Sequence, residues 1–131
     1  MFFHVDLANG LAIYEQVARQ IKFAVADELL RSGELVPSVR EVARELAINP
    51  NTVARAYRDL QADGVLEPVR GTGLAVAAGA ATRCRQERVT LIRARLEQVL
   101  AEAGRSGLGR EEVRRLVEQI LAAIPSKEVS A

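Results

Sequence analysis

Asn51, Thr52 and Arg55 fall on one flank of the run NPNTVARAYRDL (Asn49–Leu60), and Val53, Ala56, Tyr57 and Leu60 fall on the other. An asparagine amide can pair twice with adenine, a threonine can hydrogen-bond a base or touch a thymine methyl, and an arginine can clasp guanine. A helix start adds free amides and the positive end of the helix dipole, both attractive to phosphate. The chemistry on offer is recognition of a polyanion that carries bases. A helix capped by Asn49 with a solvated outer face would show the same residues, so the run alone leaves both readings open.

Three further sets of side chains offer the same chemistry. Arg40 and Arg44 are four residues apart in PSVREVAREL, where like charges repel slightly. A shared anionic partner relieves that, although solvated pairing with Glu45 is the plainer alternative. Ser38 could reach a phosphate, but a capping role already accounts for it. In RGTG, Arg70 is attracted to a narrow groove's potential and Gly71 allows close backbone approach; a plain flexible hairpin would read alike. Arg58 suits a phosphate or a neighbouring acid. Tyr57 belongs to the core face, with its hydroxyl in reach of a phosphate as the alternative.

Other chemistries find little support. The chain has one cysteine and one histidine, which make neither an internal disulfide nor a zinc site. Neighbouring arginines in TRCRQER could lower the Cys84 thiol pKa and make it a redox sensor, while His4 reads as a surface strand residue. RGTGLAVAAG lacks the lysine and hydroxyl residue that close a phosphate-binding P-loop. There is no paired-carboxylate or nucleophile–base set, so neither an enzyme nor a cofactor is expected. No apolar run approaches the ~18 residues of a membrane span, and MFFHVDLANG lacks the marks of a secretion signal; a cytoplasmic protein is the economical reading.

The elements that must position these residues follow from periodicity and caps. MFFHVDL suits a short strand before the turn ANG. Ile13, Val17, Ile21, Ala24, Val25 and Leu29 fall at helical spacing, so a first helix is expected from Ile13 to Leu30. Ser38 followed by Glu41 is a capping box for a second helix, with Val39, Val42, Ala43 and Leu46 inward. Asn49 then caps a third, with Pro50 at its first position, running to about Ala62. VLEPV and LAVAA around RGTG suit a hairpin, with Pro68 on an edge strand. AAGAAT reads as a hinge. Val89, Ile92, Leu96, Val99 and Ala103 then repeat at spacings of three and four. After GRSGLG, Val113, Leu116, Val117, Ile120, Leu121 and Ile124 define a last helix, ended by Pro125 and the polar tail SKEVSA.

Helix, short helix, tight turn, third helix and hairpin is the order of a winged helix-turn-helix. PSVRE, NPNTVARAY, the L-x-x-x-G ending at Gly64 and RGTG, in that order, make residues 11–77 resemble the DNA-binding domain of GntR-type bacterial transcription regulators. The short C-terminal part resembles that of the YtrA subfamily, whose tail serves dimerisation. The resemblance implies that the third helix and Arg40 contact DNA and that Arg70 and Gly71 enter a minor groove. One departure is DELLRSGELVPS, where members often carry a glycine near Glu28 and a proline near Ser32; it reads as a longer first helix.

The expectation is a mainly α fold with a small β-wing: a winged helix-turn-helix over residues 1–77, then a linker and two-helix dimerisation hairpin over 78–131. DNA-contact candidates are Ser38, Arg40, Arg44, Asn49, Asn51, Thr52, Arg55, Arg58, Arg70 and Gly71. Dimer-contact candidates are Val89, Ile92, Leu96, Val99, Leu116, Val117 and Ile120, because two short helices cannot bury both apolar faces alone. Arg83, Arg85 and Arg88 suit a DNA backbone or a neighbouring acid. The expected partners are double-stranded DNA bearing an inverted repeat and a second copy of the chain, with no membrane and no identified effector. Against this, residues 1–77 carry 8 Lys+Arg and 10 Asp+Glu, a net of −2. That favours a second reading, a winged helix used for protein assembly.

Overall fold

The computed structural model describes residues 4–8 and 10–125. In chain order they form α1 (Ile13–Ala26), α2 (Val39–Leu46), α3 (Pro50–Ala62), β1 (Leu66–Val69), β2 (Gly73–Val76), α4 (Ala80–Arg105) and α5 (Arg110–Ala123). The chain divides into one compact unit through Val89 and a second from Thr90.

The first unit is a three-helix cluster with a hairpin, the winged helix-turn-helix expected from the sequence. Val17, Ile21 and Val25 of α1, Val42 of α2, and Val53, Ala56 and Leu60 of α3 are withdrawn from solvent, which confirms the inner faces read from their spacing. Burying a Val, Leu or Ile side chain contributes roughly 1.5–3 kcal/mol, so this cluster holds α3 against α1 and α2. It also decides which side of α3 remains outside.

The first helix is shorter than expected. It stops at Ala26, and the amides of Leu29 and Leu30 both donate to the Ala24 carbonyl, at 2.8 and 3.2 Å. Glu28 takes φ +59°, a left-handed conformation that costs a side-chain-bearing residue about 1–2 kcal/mol. The departure read as a longer helix is therefore an early stop, with glutamate in a conformation that favours glycine. Leu29 leaves the inner stripe as a result and is 68% exposed, whereas Leu30 is buried.

The strand expected over MFFHVDL fails over residues 4–7, and residues 1–3 and Asn9 lie outside the described residues. The segment follows α1 and is held by glutamine side chains. The Gln16 amide donates to the carbonyls of Asp6 (2.9 Å) and Leu11 (3.0 Å) and accepts from the Asp6 N–H (2.9 Å). Gln20 makes the same two-way pairing with the exposed His4 backbone. A side-chain amide offers a peptide's donor and acceptor, so no partner strand is needed.

In the wing, Leu66 pairs with Val76, Glu67 with Ala75, Pro68 with Leu74 and Val69 with Gly73. The inner edge of β2 pairs further with the segment before α2. Leu35 bridges Ala75, the Val36 amide donates to the Leu74 carbonyl, and the Val76 amide donates to the Glu34 carbonyl, both at 2.9 Å. Pro68 thus lies on the outer strand, where a missing N–H breaks no ladder.

The hinge read in AAGAAT is also corrected. Only Ala78 and Gly79 form a turn, and α4 starts at Ala80. Ala80 and Cys84 are core residues, so the first compact unit extends past the boundary expected after residue 77. In the second unit α5 buries none of its residues. The tail SKEVSA lies outside the described residues, and among those described no helix is long and apolar enough to cross a membrane.

Candidate nucleic-acid interface

Two helix starts make the candidate surface. At α2 the Glu41 amide donates to Ser38 Oγ and the Ser38 amide donates to Glu41 Oε1, both at 3.1 Å, completing the capping box. These bonds from Ser38 hold the Glu41 carboxyl below its usual range. The Ser38 hydroxyl accepts from the Glu41 amide and also bonds the Glu41 carboxyl, so it is committed to the cap. At α3 the Asn51 amide donates to Asn49 Oδ1 at 2.8 Å, so the Asn49 oxygen is committed to the cap and its NH2 group is not. Between the helices Ala47 takes φ 55°, ψ 45°, the left-handed step that makes the turn tight.

Tyr57 locks the two starts together. Its hydroxyl donates to the Pro37 carbonyl at 2.6 Å, immediately before the α2 cap. Burial of the ring drives its pKa well above the ordinary tyrosine range, and the Glu41 carboxylate adds to the shift. The hydroxyl's alternative role at a phosphate is therefore excluded, since its one proton is inside. With this face held inward, Asn51, Arg55 and Arg58 are exposed and Thr52 is half-exposed. Arg40 and Arg44 are exposed on α2.

At the wing tip, Arg70, Gly71 and Thr72 are exposed. The Thr72 amide (3.0 Å) and hydroxyl (3.2 Å) both donate to the Val69 carbonyl, tightening the turn. Gly71 has φ +79° and open space beside it, so backbone conformation rather than crowding requires glycine there. Between wing and helices lies a groove of about 370 Å³ walled by Leu35, Pro37, Val39, Tyr57 and Leu74.

The arginines divide into two groups that the sequence does not separate. The Arg55 guanidinium carbon lies 3.7 Å from the centre of the Tyr14 ring, a cation–π contact from α3 to α1. Such a contact contributes about 0.5–1 kcal/mol at an exposed site, and stacking on a ring face does not require the guanidinium N–H donors to hydrogen-bond an oxygen. Arg55 is thus held by α1, a contact with no local signature because Tyr14 is distant in sequence.

Arg83, Arg85 and Arg88 face the protein itself. Arg83 Nη1 donates to the Asp63 carbonyl (3.2 Å) and Nη2 to the Gly64 carbonyl (2.5 Å), at the end of α3. Arg85 Nη1 donates to the Ala26 carbonyl (3.2 Å), at the end of α1, and Arg88 pairs with Asp27 Oδ1 at 2.6 Å. Cations at helix C-termini meet unpaired carbonyls and the negative dipole end. The neighbouring acid considered for this cluster is found at Arg88, whereas Arg83 and Arg85 meet main-chain carbonyls, a partner the sequence did not suggest.

Lys22, nearly buried, joins the same junction. Its ammonium lies 3.1 Å from Asp63 Oδ2 and 2.7 Å from Glu87 Oε1. Burial alone would lower its pKa, but hydrogen bonds and charges from Glu87 and Asp63 outweigh that and hold it above the ordinary value. Cys84 beside them is fully buried. Burial pushes its thiol pKa up and the Glu87 carboxylate adds to the rise, which Lys22, Arg83 and Arg85 only partly oppose. The redox-sensor reading fails because the thiol is inaccessible and short of thiolate. Among the described residues no cluster of His, Cys, Asp or Glu could hold a metal ion.

The candidate dimer residues are half-exposed. Val89, Ile92, Leu96 and Val99 of α4 are 43–63% exposed, and Leu116, Val117 and Ile120 of α5 are 41–58% exposed.

Residues 13–76 match the family model described as bacterial regulatory proteins, gntR family. The HTH-type transcriptional repressor YtrA of Bacillus subtilis is 32% identical over 120 residues, 92% of either chain. Among solved structures, YtrA from Sulfolobus acidocaldarius, a GntR-family transcription factor, is 32% identical with a TM-score of 0.57 over 72% of this chain and 97% of its own. The DNA-binding domain of AraR in complex with operator ORE1 is 26% identical with a TM-score of 0.50, over 58% of this chain and 95% of its own.

Proposed function

The chain belongs to the GntR family of bacterial regulatory proteins and is a DNA-binding transcriptional regulator; on that premise we propose that it is a cytoplasmic homodimeric repressor acting on an inverted-repeat operator. The observation that carries the dimer is the row of half-exposed apolar side chains on α4 and α5, since exposed apolar faces mark interaction sites. A second copy supplies an identical row, and a two-fold pair of α3 helices matches an inverted repeat with half-sites about one helical turn apart. The name of the Bacillus subtilis relative, a transcriptional repressor, supports repression.

At each half-site the start of α3 enters the major groove. Asn51, Thr52 and Arg55 meet base edges, while Asn49, Arg44 and Arg58 meet phosphates. Arg40 adds a contact from α2, and Arg70 with Gly71 reaches a minor groove. Phosphate contacts supply salt-dependent affinity and base contacts supply selection. A fluorescence titration with DNA from upstream of the gene tests this. Arg40→Ala should weaken binding to all sequences, whereas Thr52→Ala should weaken discrimination at one base pair, where a mismatch typically costs about 1–3 kcal/mol. Retention of both affinity and discrimination in the two variants would overturn the assignment.

A further inference from the structure

Outside the apolar core, α1 and α3 also meet at one aromatic ring. Tyr14 is half-buried and packs against the core, on a helix whose Val17 and Ile21 are fully withdrawn from solvent. The fold therefore fixes the ring, and the Arg55 guanidinium carbon lies over it, 3.7 Å from its centre. At that separation the guanidinium plate faces the ring, because an edge-on approach would press its nitrogens into the ring carbons. The Tyr14 hydroxyl, in the plane of the ring, donates instead to Glu15 Oε1 at 3.3 Å. Hydroxyl and ring face thus have separate tasks.

The contact constrains Arg55 without using it up. A guanidinium carries its five N–H donors in its own plane, so a stacked plate keeps them at its rim. Arg55 itself is exposed, and a planar fork of this kind is what pairs twice with guanine. A free arginine loses side-chain freedom when it binds. One already laid against a ring loses less, and it reaches in one direction rather than several.

We propose that Tyr14 is a positioning residue for base selection: its ring face orders the Arg55 guanidinium, so that α1 sets how sharply α3 discriminates one base pair. This rests on the assignment of Arg55 to a base edge given above. Tyr14 itself need not touch DNA. The role requires the electron-rich face of the ring and not only its bulk. Lost packing at Tyr14 would weaken binding to every sequence alike, whereas a loosened Arg55 affects one base pair.

The experiment uses the full chain and duplexes from upstream of the gene in which each base pair of the bound site is replaced in turn. Urea unfolding reports the stability of each variant. Arg55→Ala should lose discrimination about fivefold or more at one base pair, the lower end for a bidentate pair with guanine. Tyr14→Phe keeps the ring face, gives up only the Glu15 bond, and should select as wild type does. Tyr14→Leu should lose about two- to fivefold at the same base pair as Arg55→Ala, with the other positions unchanged. Pentafluorophenylalanine in place of Tyr14 keeps the ring's shape but reverses the charge of its face. It should behave as Tyr14→Leu does, and it carries the test if leucine does not fold there. In the Arg55→Ala background, Tyr14→Leu should add nothing at that base pair.

Leucine and fluorinated variants that select as wild type overturn the positioning role and leave the Arg55 assignment intact. A loss spread evenly over all positions also overturns it, being the mark of lost packing. Equal losses in Tyr14→Phe and Tyr14→Leu assign the effect to the hydroxyl and overturn it too. Wild-type discrimination in Arg55→Ala overturns the base-edge assignment and the role of Tyr14 with it.

Discussion

The two compact units use the same sequence pattern with opposite outcomes. In the unit through Val89, apolar residues three and four apart on α1, α2 and α3 find one another, and Val17, Ile21, Val42, Val53 and Leu60 are all at 0% exposure. In the unit from Thr90 the same spacing on α4 and α5 leaves Ile92, Leu96, Val99 and Ile120 roughly half out in solvent. A helical period states that a face will be covered; it does not state what covers it. The arginines repeat the lesson. Arg83 and Arg85 are spent on carbonyls within the protein, whereas Arg40 and Arg70 stay exposed.

The sharpest test of that contrast is a pair of substitutions. Leu60→Ala removes a fully buried side chain and should cost about 2–5 kcal/mol of the first unit's stability, read from urea unfolding. Leu96→Asp should leave that unit's unfolding nearly unchanged in dilute solution. It should instead weaken the association of two copies by about a hundredfold or more, near 3 kcal/mol, seen as a fall in mass by sedimentation. If Leu96→Asp unfolded the first unit as Leu60→Ala does, the contrast between a buried core and a half-exposed apolar face would collapse.

The Lys22 junction offers a smaller effect with a definite sign. Its folded-state pKa is above the ordinary 10.5, so the protonated form is favoured by folding. That contribution is fully present below the unfolded value and is lost as pH rises through the folded one. Alkaline unfolding followed by circular dichroism should therefore steepen above about pH 10 in wild type, and Lys22→Met should flatten that slope. Smallest and opposite in direction is Glu28→Gly. Relief of the left-handed strain should stabilise the first unit, offset by the extra freedom of glycine in the unfolded chain, for a net gain of up to about 1 kcal/mol. Differential scanning calorimetry should show this as a rise in Tm of a few degrees.

Much of the candidate interface was legible because its signals are short-range. The Ser38–Glu41 box, the Asn49 cap with Pro50, and the Thr72–Val69 turn each close within three residues. The inner stripe of α3 was equally readable, since Val53, Ala56, Tyr57 and Leu60 share one face by helical geometry. The early stop of α1 was not, because Glu28 gives no local sign of a left-handed turn. The seat of Arg55 over Tyr14 was hidden for another reason: ring and cation lie on different helices.

By itself, then, the order of residues determined where α2 and α3 begin, which side of α3 is apolar, and the family to which its motifs belong. Hydrogen bonds a few residues apart and the period of the helix suffice for these. Only the tertiary structure decided that Arg83, Arg85 and Arg88 serve the ends of α1 and α3, that Cys84 is sealed in the core, and that Leu35 extends the wing. Each of those depends on surfaces far apart in the chain meeting at ångström range, where burial and unpaired carbonyls select a partner that spacing cannot name.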